Sequence, residues 1–301
     1  MIVRPRTNIL MLFFVMRGSV VPRILPHIIG FALYAFAVVV TLRHFGVDMS
    51  EFSIAPFGLV SITLSIYLGF RNNAAYDRWW EARKLWGQLV YDIRNLARAA
   101  STLIGERDAY RPLLMNAAAF CHMLRGELRN VDALPEARQF IGADADGLSN
   151  FTNKPDEIVR RMGAQVKAAR DRGLIDAIGF RILDERLSTI SALQAGCERI
   201  AGTPLPFAYT LLLQRTAYVV CLLLPFGMFS SAGWATPLFT ALIAYTFFGL
   251  DALSEELEDP FGTEANDLAL DSLCRVCEIS IMEALGEPAP APLPPRHFYF
   301  S

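Results

Sequence analysis

Charge is scarce in this sequence. Asp, Glu, Lys and Arg make up 19% of its 301 residues, where soluble domains carry ~25%. Hydrophobic residues reach 53%, and mean hydropathy is +0.32. The charge deficit is concentrated in a few long runs, which points to a membrane protein with a soluble portion. Net charge is only −2, so the basic footprint of a nucleic-acid binder is missing. Cysteine is sparse as well. Five residues, Cys121, Cys197, Cys221, Cys274 and Cys277, are odd in number and scattered, which excludes a disulfide framework and favours a reducing compartment. The Cys274-x-x-Cys277 pair has no second pair to complete a four-ligand zinc set, and two small core residues one turn apart are expected there. The four histidines, His27, His44, His122 and His297, are dispersed. No phosphate-binding loop, zincin motif, nucleophile elbow or dinucleotide loop occurs. These absences leave an enzyme without recognisable machinery. No alternating strand pattern and no internal repeat occurs, so the expected fold class is all-α.

Four apolar stretches are candidates to span a bilayer: 28–42, 54–70, 207–229 and 234–250. The first and last lie near the lower length limit of ~17 residues. The shorter run at 9–16 is broken by Arg17 and lacks a cleavage-site pattern, so an interfacial helix is expected rather than a signal peptide. Arg4, Arg6, Arg17 and Arg23 precede the first span, and Arg71, Arg78, Arg83 and Lys84 follow the second. The loop between the first two spans holds only Arg43, and residues 230–233 hold no base. The positive-inside rule then puts both termini and the large middle segment in the cytoplasm.

The resulting organisation is an interfacial segment at 1–26, two spans within 27–70, a cytoplasmic helical region at 71–206, two further spans within 207–252, and a cytoplasmic tail at 253–301. Within the helical region, Pro155-Asp156-Glu157 is a helix start with acids at the positive end. Residues 141–150, IGADADGLSN, read as a loop, and a helix over about 174–200 returns the chain to the membrane. The block DRWWEARKLW suits an aromatic belt at the interface. The Pro-rich end, EPAPAPLPPRHFYFS, is expected to be extended.

The stretch 54–99 is expected to form one helix that leaves the bilayer at Arg71. Ile62, Ile66 and Phe70 recur at i, i+4 and i+8, so they stack on one face, and the stripe turns polar at Asn73 and Asp77. Such a face suits a pore lining. Spacing alone suits a packing face at least as well, the commoner role of apolar stripes. Arg215, beside Gln214 inside the third span, reads either as part of an ion path or as a paired or snorkelling cation near the helix end. The acidic run Glu255, Glu256, Glu258, Asp259, Glu264, Asp267, Asp271 could hold a hard cation such as Ca²⁺, which needs six or more converging oxygens, or could serve as ion-pair partners for the Arg-rich helices.

Three blocks then point to a family. RNNAAYDRWWEARKLWG at 71–87, AGCERIAGTPLPFAYTLLLQRT at 195–216 and EELEDPFGTEANDLALD at 255–271, in this order among four spans, resemble the bacterial bestrophins over nearly the whole chain. The resemblance implies a homopentameric ion channel with one pore on the fivefold axis, in contact with the lipid bilayer and passing monovalent ions. It implies a hydrophobic neck, matched here by Ile62, Ile66 and Phe70, that gates by dewetting or steric closure. It also implies a cytoplasmic constriction, for which Ile178 is the nearest match. Animal bestrophins hold Ca²⁺ after a related turn. Glu264 and Asp267 match ligand positions, but the continuous aspartate run is missing, so no cofactor is expected and Ca²⁺ activation is not implied. Asp77 and Glu81 continue the stripe as vestibule charges and would favour cations such as Na⁺. An anion channel for chloride or bicarbonate is the alternative within this architecture. A membrane-anchored scaffold without conduction is the alternative outside it.

Overall fold

The computed structural model describes residues 1–2, 15–16, 18–49, 53–295 and 299–300. Residues 9–14 of the expected interfacial run, with Arg4, Arg6, Arg17 and His297, lie outside them. The described chain is helical throughout, with α1 Val21–His44, α2 Ala55–Leu103, α3 Arg107–Arg129, α4 Leu134–Ile141, α5 Lys154–Asp171, α6 Ala177–Gly202, α7 Phe207–Ala232, α8 Thr236–Glu258 and α9 Leu270–Leu285. The one β contact among the described residues is an isolated bridge from Ile2 to Tyr299.

The chain divides into two compact units. One comprises Trp80–Thr203 and Pro260–Ser301 with the first residues of the chain, and the other comprises the preceding residues to Trp79 together with Pro204–Asp259. The long helix α2 belongs to both. At 49 residues it is more than twice the ~20 that a membrane span requires.

The apolar unit contains α1, the first part of α2, α7 and α8. Its core joins Phe31, Leu64, Leu68, Leu213, Val220, Phe247 and Phe248. Gly227 of α7 lies where an added Cβ would come within 2.7 Å of the Phe57 ring, so only glycine permits this approach of α7 to α2. Pro225 interrupts the backbone ladder of α7, and the Tyr34 hydroxyl donates to the nearby Leu222 carbonyl at 3.0 Å. Two stretches are long and apolar enough to cross a membrane on composition alone, Val21–His44 and one within Ala177–Glu258. Helix α1 starts earlier than the sequence suggests, because Pro22 fits its first turn and Pro26 is accommodated inside it.

The second unit packs α3 against α4, α5 and α9, and α5 against α6. Helix caps place these elements. The Asn153 side chain accepts the Asp156 N–H at 2.9 Å, and Asp176 accepts the Gly179 N–H at 2.7 Å, each satisfying a donor orphaned at a helix start. Asn130 closes α3 in the left-handed region, at φ 53°. Residues 142–150 are not an irregular loop but a 3₁₀ helix, Gly142–Asn150, anchored by buried Ala145 and Leu148. Trp86 is not at an interface. It is fully buried, so the aromatic-basic block splits between an exposed Trp80 and a core Trp86. Cys274 and Cys277 are core residues, as expected.

Asp271 ties α9 to α3, with its carboxylate 2.7 Å from Arg125 and 2.8 Å from Arg129. Burial pushes this carboxyl up, but the charges and hydrogen bonds of Arg129 and Arg125 outweigh it and hold it below its ordinary value. A depressed carboxyl stabilises the fold fully above its unfolded pKa of about 4, and that contribution fades as pH falls through the folded value. Asp271→Asn should therefore lower stability at pH 7 by roughly 1–2 kcal/mol, since the carboxylate is only partly buried and Arg125 keeps Glu136. Thermal melts between pH 7 and pH 3 should show wild type and variant converging at the acid end. Curves that stay parallel would assign the stabilisation elsewhere.

Candidate pore-lining face and its polar anchor

The orientation of α2 in the apolar unit is set by one buried cation. Arg71 is 3% exposed, and its guanidinium is paired with Asp251 and lies 3.7 Å from Glu258. The Asp251 carboxylate also accepts from Gln214 Nε2 at 3.0 Å. Gln214 reaches Glu255 at 3.4 Å, and Glu255 pairs with Arg23. Glu258 accepts the Leu205 N–H at 2.9 Å, just before α7 begins. Asp251, Glu255 and Glu258 are spaced i, i+4 and i+7, so they share one face of α8 and form a ladder for cations from α1 and α2.

Arg71 lies on the same side of α2 as the buried Leu64, Leu68 and Ala75. At 3.6 residues per turn, Ile62, Ile66 and Phe70 span about 80° of the helix surface, centred about 170° from that seam. They are 60%, 53% and 62% exposed. Among the described residues, the chain's own core therefore leaves more than half of each side chain uncovered. Asn73 and Asp77 fall within the same sector, and both are exposed.

The polar side chains among these residues fold back on their own helix. Thr63 donates to the Leu59 carbonyl at 3.0 Å, Ser65 to Ser61 at 2.8 Å, and Asn72 to Leu68 at 3.0 Å. On one flank of the apolar stripe, an added Cβ at Gly58 or Gly69 would meet open space. These small residues and Ser65 give another helix room to approach closely.

The other expected site residues separate from this face. Glu81 pairs with Arg199. It has drifted to the edge of the sector, about 60° from the centre of the stripe at 100° per residue. In its own unit, Ile178 is 69% exposed near the start of α6. Arg215 is exposed, and its neighbour Gln214 is the residue that enters the acidic ladder. Asp267 is buried and accepts the Glu264 backbone N–H at 2.7 Å. Arg129 donates to the Phe261 carbonyl at 3.1 Å. The turn is thus closed by internal hydrogen bonds, and no group of three or more His, Cys, Asp or Glu side chains converges as a metal set among the described residues.

Sequence reasoning missed Asp251 and its pairing with Arg71. The available signal was an acid at the end of an apolar helix, in i, i+4, i+7 register with two others.

The family model for bacterial and fungal bestrophins matches residues 1–283. The chain belongs to the bestrophin family. Among its relatives is a voltage-dependent anion channel-forming protein of Mesorhizobium japonicum, 69% identical over all of this chain and 97% of that one. The voltage-dependent anion channel-forming protein YneE of Escherichia coli K12 is 41% identical over 99% of both chains. The crystal structure of a bacterial bestrophin homologue from Klebsiella pneumoniae superposes with a TM-score of 0.82 at 34% identity, covering 90% of this chain and all of that one. This bestrophin is therefore an all-helical membrane protein.

The buried Arg71 makes its carboxylate partners costly to remove singly. Asp251→Ala takes away the nearer partner, leaves the guanidinium with Glu258 at 3.7 Å, and should cost about 3 kcal/mol, the low end for a broken buried pair. Thermal unfolding of the detergent-purified protein should register this as an early transition, with most of the loss recovered in the double variant Arg71→Met, Asp251→Leu. A single variant that melts like wild type would remove the pair as the anchor of α2.

Proposed function

We propose that this bestrophin is a passive ion channel in the bacterial inner membrane, with Ile62, Ile66 and Phe70 of α2 forming the pore neck. The observation that carries this reading is an apolar face held outward by a buried ion pair and continuing as Asn73 and Asp77. A face that is apolar where the helix crosses the bilayer and polar where it leaves it fits a pore that widens toward water. Five copies, the number implied by the resemblance, would stack three apolar rings that gate by dewetting or small side-chain movements. The small flank of Gly58, Ser65 and Gly69 provides for contact between neighbouring copies.

In this reading α1, the apolar part of α2, α7 and α8 cross the bilayer. The residues that follow α2's apolar part, together with both termini, lie in the cytoplasm, as the arginine distribution favours. Ile178 is the candidate for the cytoplasmic constriction. Asp267, one of the two candidate Ca²⁺ ligands, accepts a hydrogen bond from the backbone of its own turn, and the reading includes no resident metal. The relatives carry channel names rather than enzyme names, and the protein is not an enzyme.

Three observations bear on the sign of the permeant ion. The relatives are named anion channels, and one of the two carboxylates that would favour cations, Glu81, is neutralised by Arg199. Both favour anions. Asp77, exposed on the stripe, is the observation that favours cations.

Two measurements on purified protein in planar bilayers test this reading. Ile66→Ala should raise conductance or open probability severalfold by widening and wetting the neck, and unchanged currents would take the neck out of the mechanism. Under a tenfold KCl gradient the reversal potential should lie toward the chloride equilibrium potential. A potassium-like value that collapses in Asp77→Asn would establish the cation reading. Absence of any flux in liposomes would make the protein a membrane-anchored scaffold.

A further inference from the structure

Two adjoining concavities in the apolar unit are not used by the proposed pore. One is an apolar groove of about 380 Å³ lined by Pro26, Gly30, Phe31, Tyr34 and Leu222. The other is a polar cavity of about 200 Å³ between α1, α7 and α8, where Arg23, Gln214, Asp251 and Glu255 meet the rings of Tyr218 and Phe248. His27 lines both. Its ring stacks on Phe248 at a centroid distance of 5.0 Å and meets Tyr218 edge-on at 6.0 Å. Its Nδ1 is buried without a hydrogen-bond partner. Gly30 leaves the groove open, since an added Cβ there would touch nothing within 4 Å.

The chemistry of the two ends differs in a way that selects an amphiphile. The groove offers hydrocarbon surface and nearly no polar atoms. The cavity offers both signs of charge, and its parts are not equally fixed. Asp251 is committed to the buried Arg71. The Arg23–Glu255 pair is looser, with the Arg23 side chain half exposed, so a ligand bearing both charges can separate it. A phosphate would take the Arg23 guanidinium, the better partner for a phosphate diester. An ammonium would take the Glu255 carboxylate, beside the partly exposed Tyr218 ring, which favours cations. A purely anionic head would leave Glu255 unmatched, and a purely cationic one would leave Arg23 unmatched.

We propose that this groove and cavity form a binding site for a zwitterionic aminophospholipid, with the acyl chain along Gly30 and Phe31 and the phosphoammonium head between Arg23 and Glu255. The site depends on the chain being a membrane protein and not on whether the neck conducts.

The test uses the full-length protein reconstituted in nanodiscs of equal phosphatidylethanolamine and phosphatidylglycerol, re-extracted in mild detergent and examined by native mass spectrometry. Wild type should retain phosphatidylethanolamine over phosphatidylglycerol by about fivefold, the factor that one partly desolvated cation–π and ion-pair contact supplies. Glu255→Gln and Arg23→Gln should each bring the ratio close to one. Gly30→Leu should abolish retention of either lipid by filling the groove, while Gly30→Ala, which fits the open space, should keep it. Equal retention of the two lipids by wild type would overturn the proposal, as would a preference that survives Gly30→Leu. Loss of the oligomer on size exclusion in Gly30→Leu, with lipid retention unchanged, would also overturn it and assign the groove to a second copy of the chain.

Discussion

A guanidinium cannot be left alone in an apolar unit, and that requirement governs the architecture around α2. Arg71 sits on the buried side of the helix and must keep its carboxylates. Rotation of α2 by even one residue, about 100°, would carry it off the acidic face of α8. The ion pair therefore acts as a rotational lock. By fixing which side of α2 faces its own chain, it also fixes which side is left for other occupants. Ile62, Ile66 and Phe70 are outward as a consequence of where Arg71 points, although their side chains lie on the opposite side of the helix. Glu258 extends the lock to the chain entering α7, through the Leu205 N–H.

The elements of the fold that depend on local chemistry were legible in the sequence. The long unbroken α2, the start of α5 at Pro155-Asp156-Glu157, and the stripe itself follow from spacing, proline placement and charge at the helix end. What escaped depends on partners distant in sequence. Asp77 and Glu81 look equivalent along the helix, yet Glu81 meets Arg199, and only tertiary structure brings that arginine near. Trp86 reads as an interfacial aromatic from its basic neighbours, but the packing of the helical unit buries it. Residues 142–150 carry loop-like composition, and two buried apolar anchors convert them to a 3₁₀ helix. The acidic run shows the same limit. Its charge is evident, but whether carboxylates gather on a metal or distribute themselves over arginines is decided by geometry, and here Asp251, Glu255, Glu258 and Asp271 all have arginine partners.

The two units also divide the chemical labour differently. The apolar unit concentrates its few charges into one ladder at the end of α8, so that a small number of ionic contacts orient three helices. The helical unit spreads ion pairs over α3 and α9, with the His122–Glu278 pair buried at 2.6 Å between them.

The polar side chains of α2 that turn back on their own carbonyls have a further consequence for any ion passing the proposed neck. Thr63, Ser65 and Asn72 have spent their donors on the helix, and the residues facing inward would be hydrocarbon. Such a passage offers no ligands to replace water. An ion would have to cross it with its hydration shell largely intact, so discrimination between ions would rest on hydrated size and on the distant field of charges such as Asp77. Inner-sphere coordination, the means by which carbonyl-lined filters recognise one dehydrated ion, is not open to this neck.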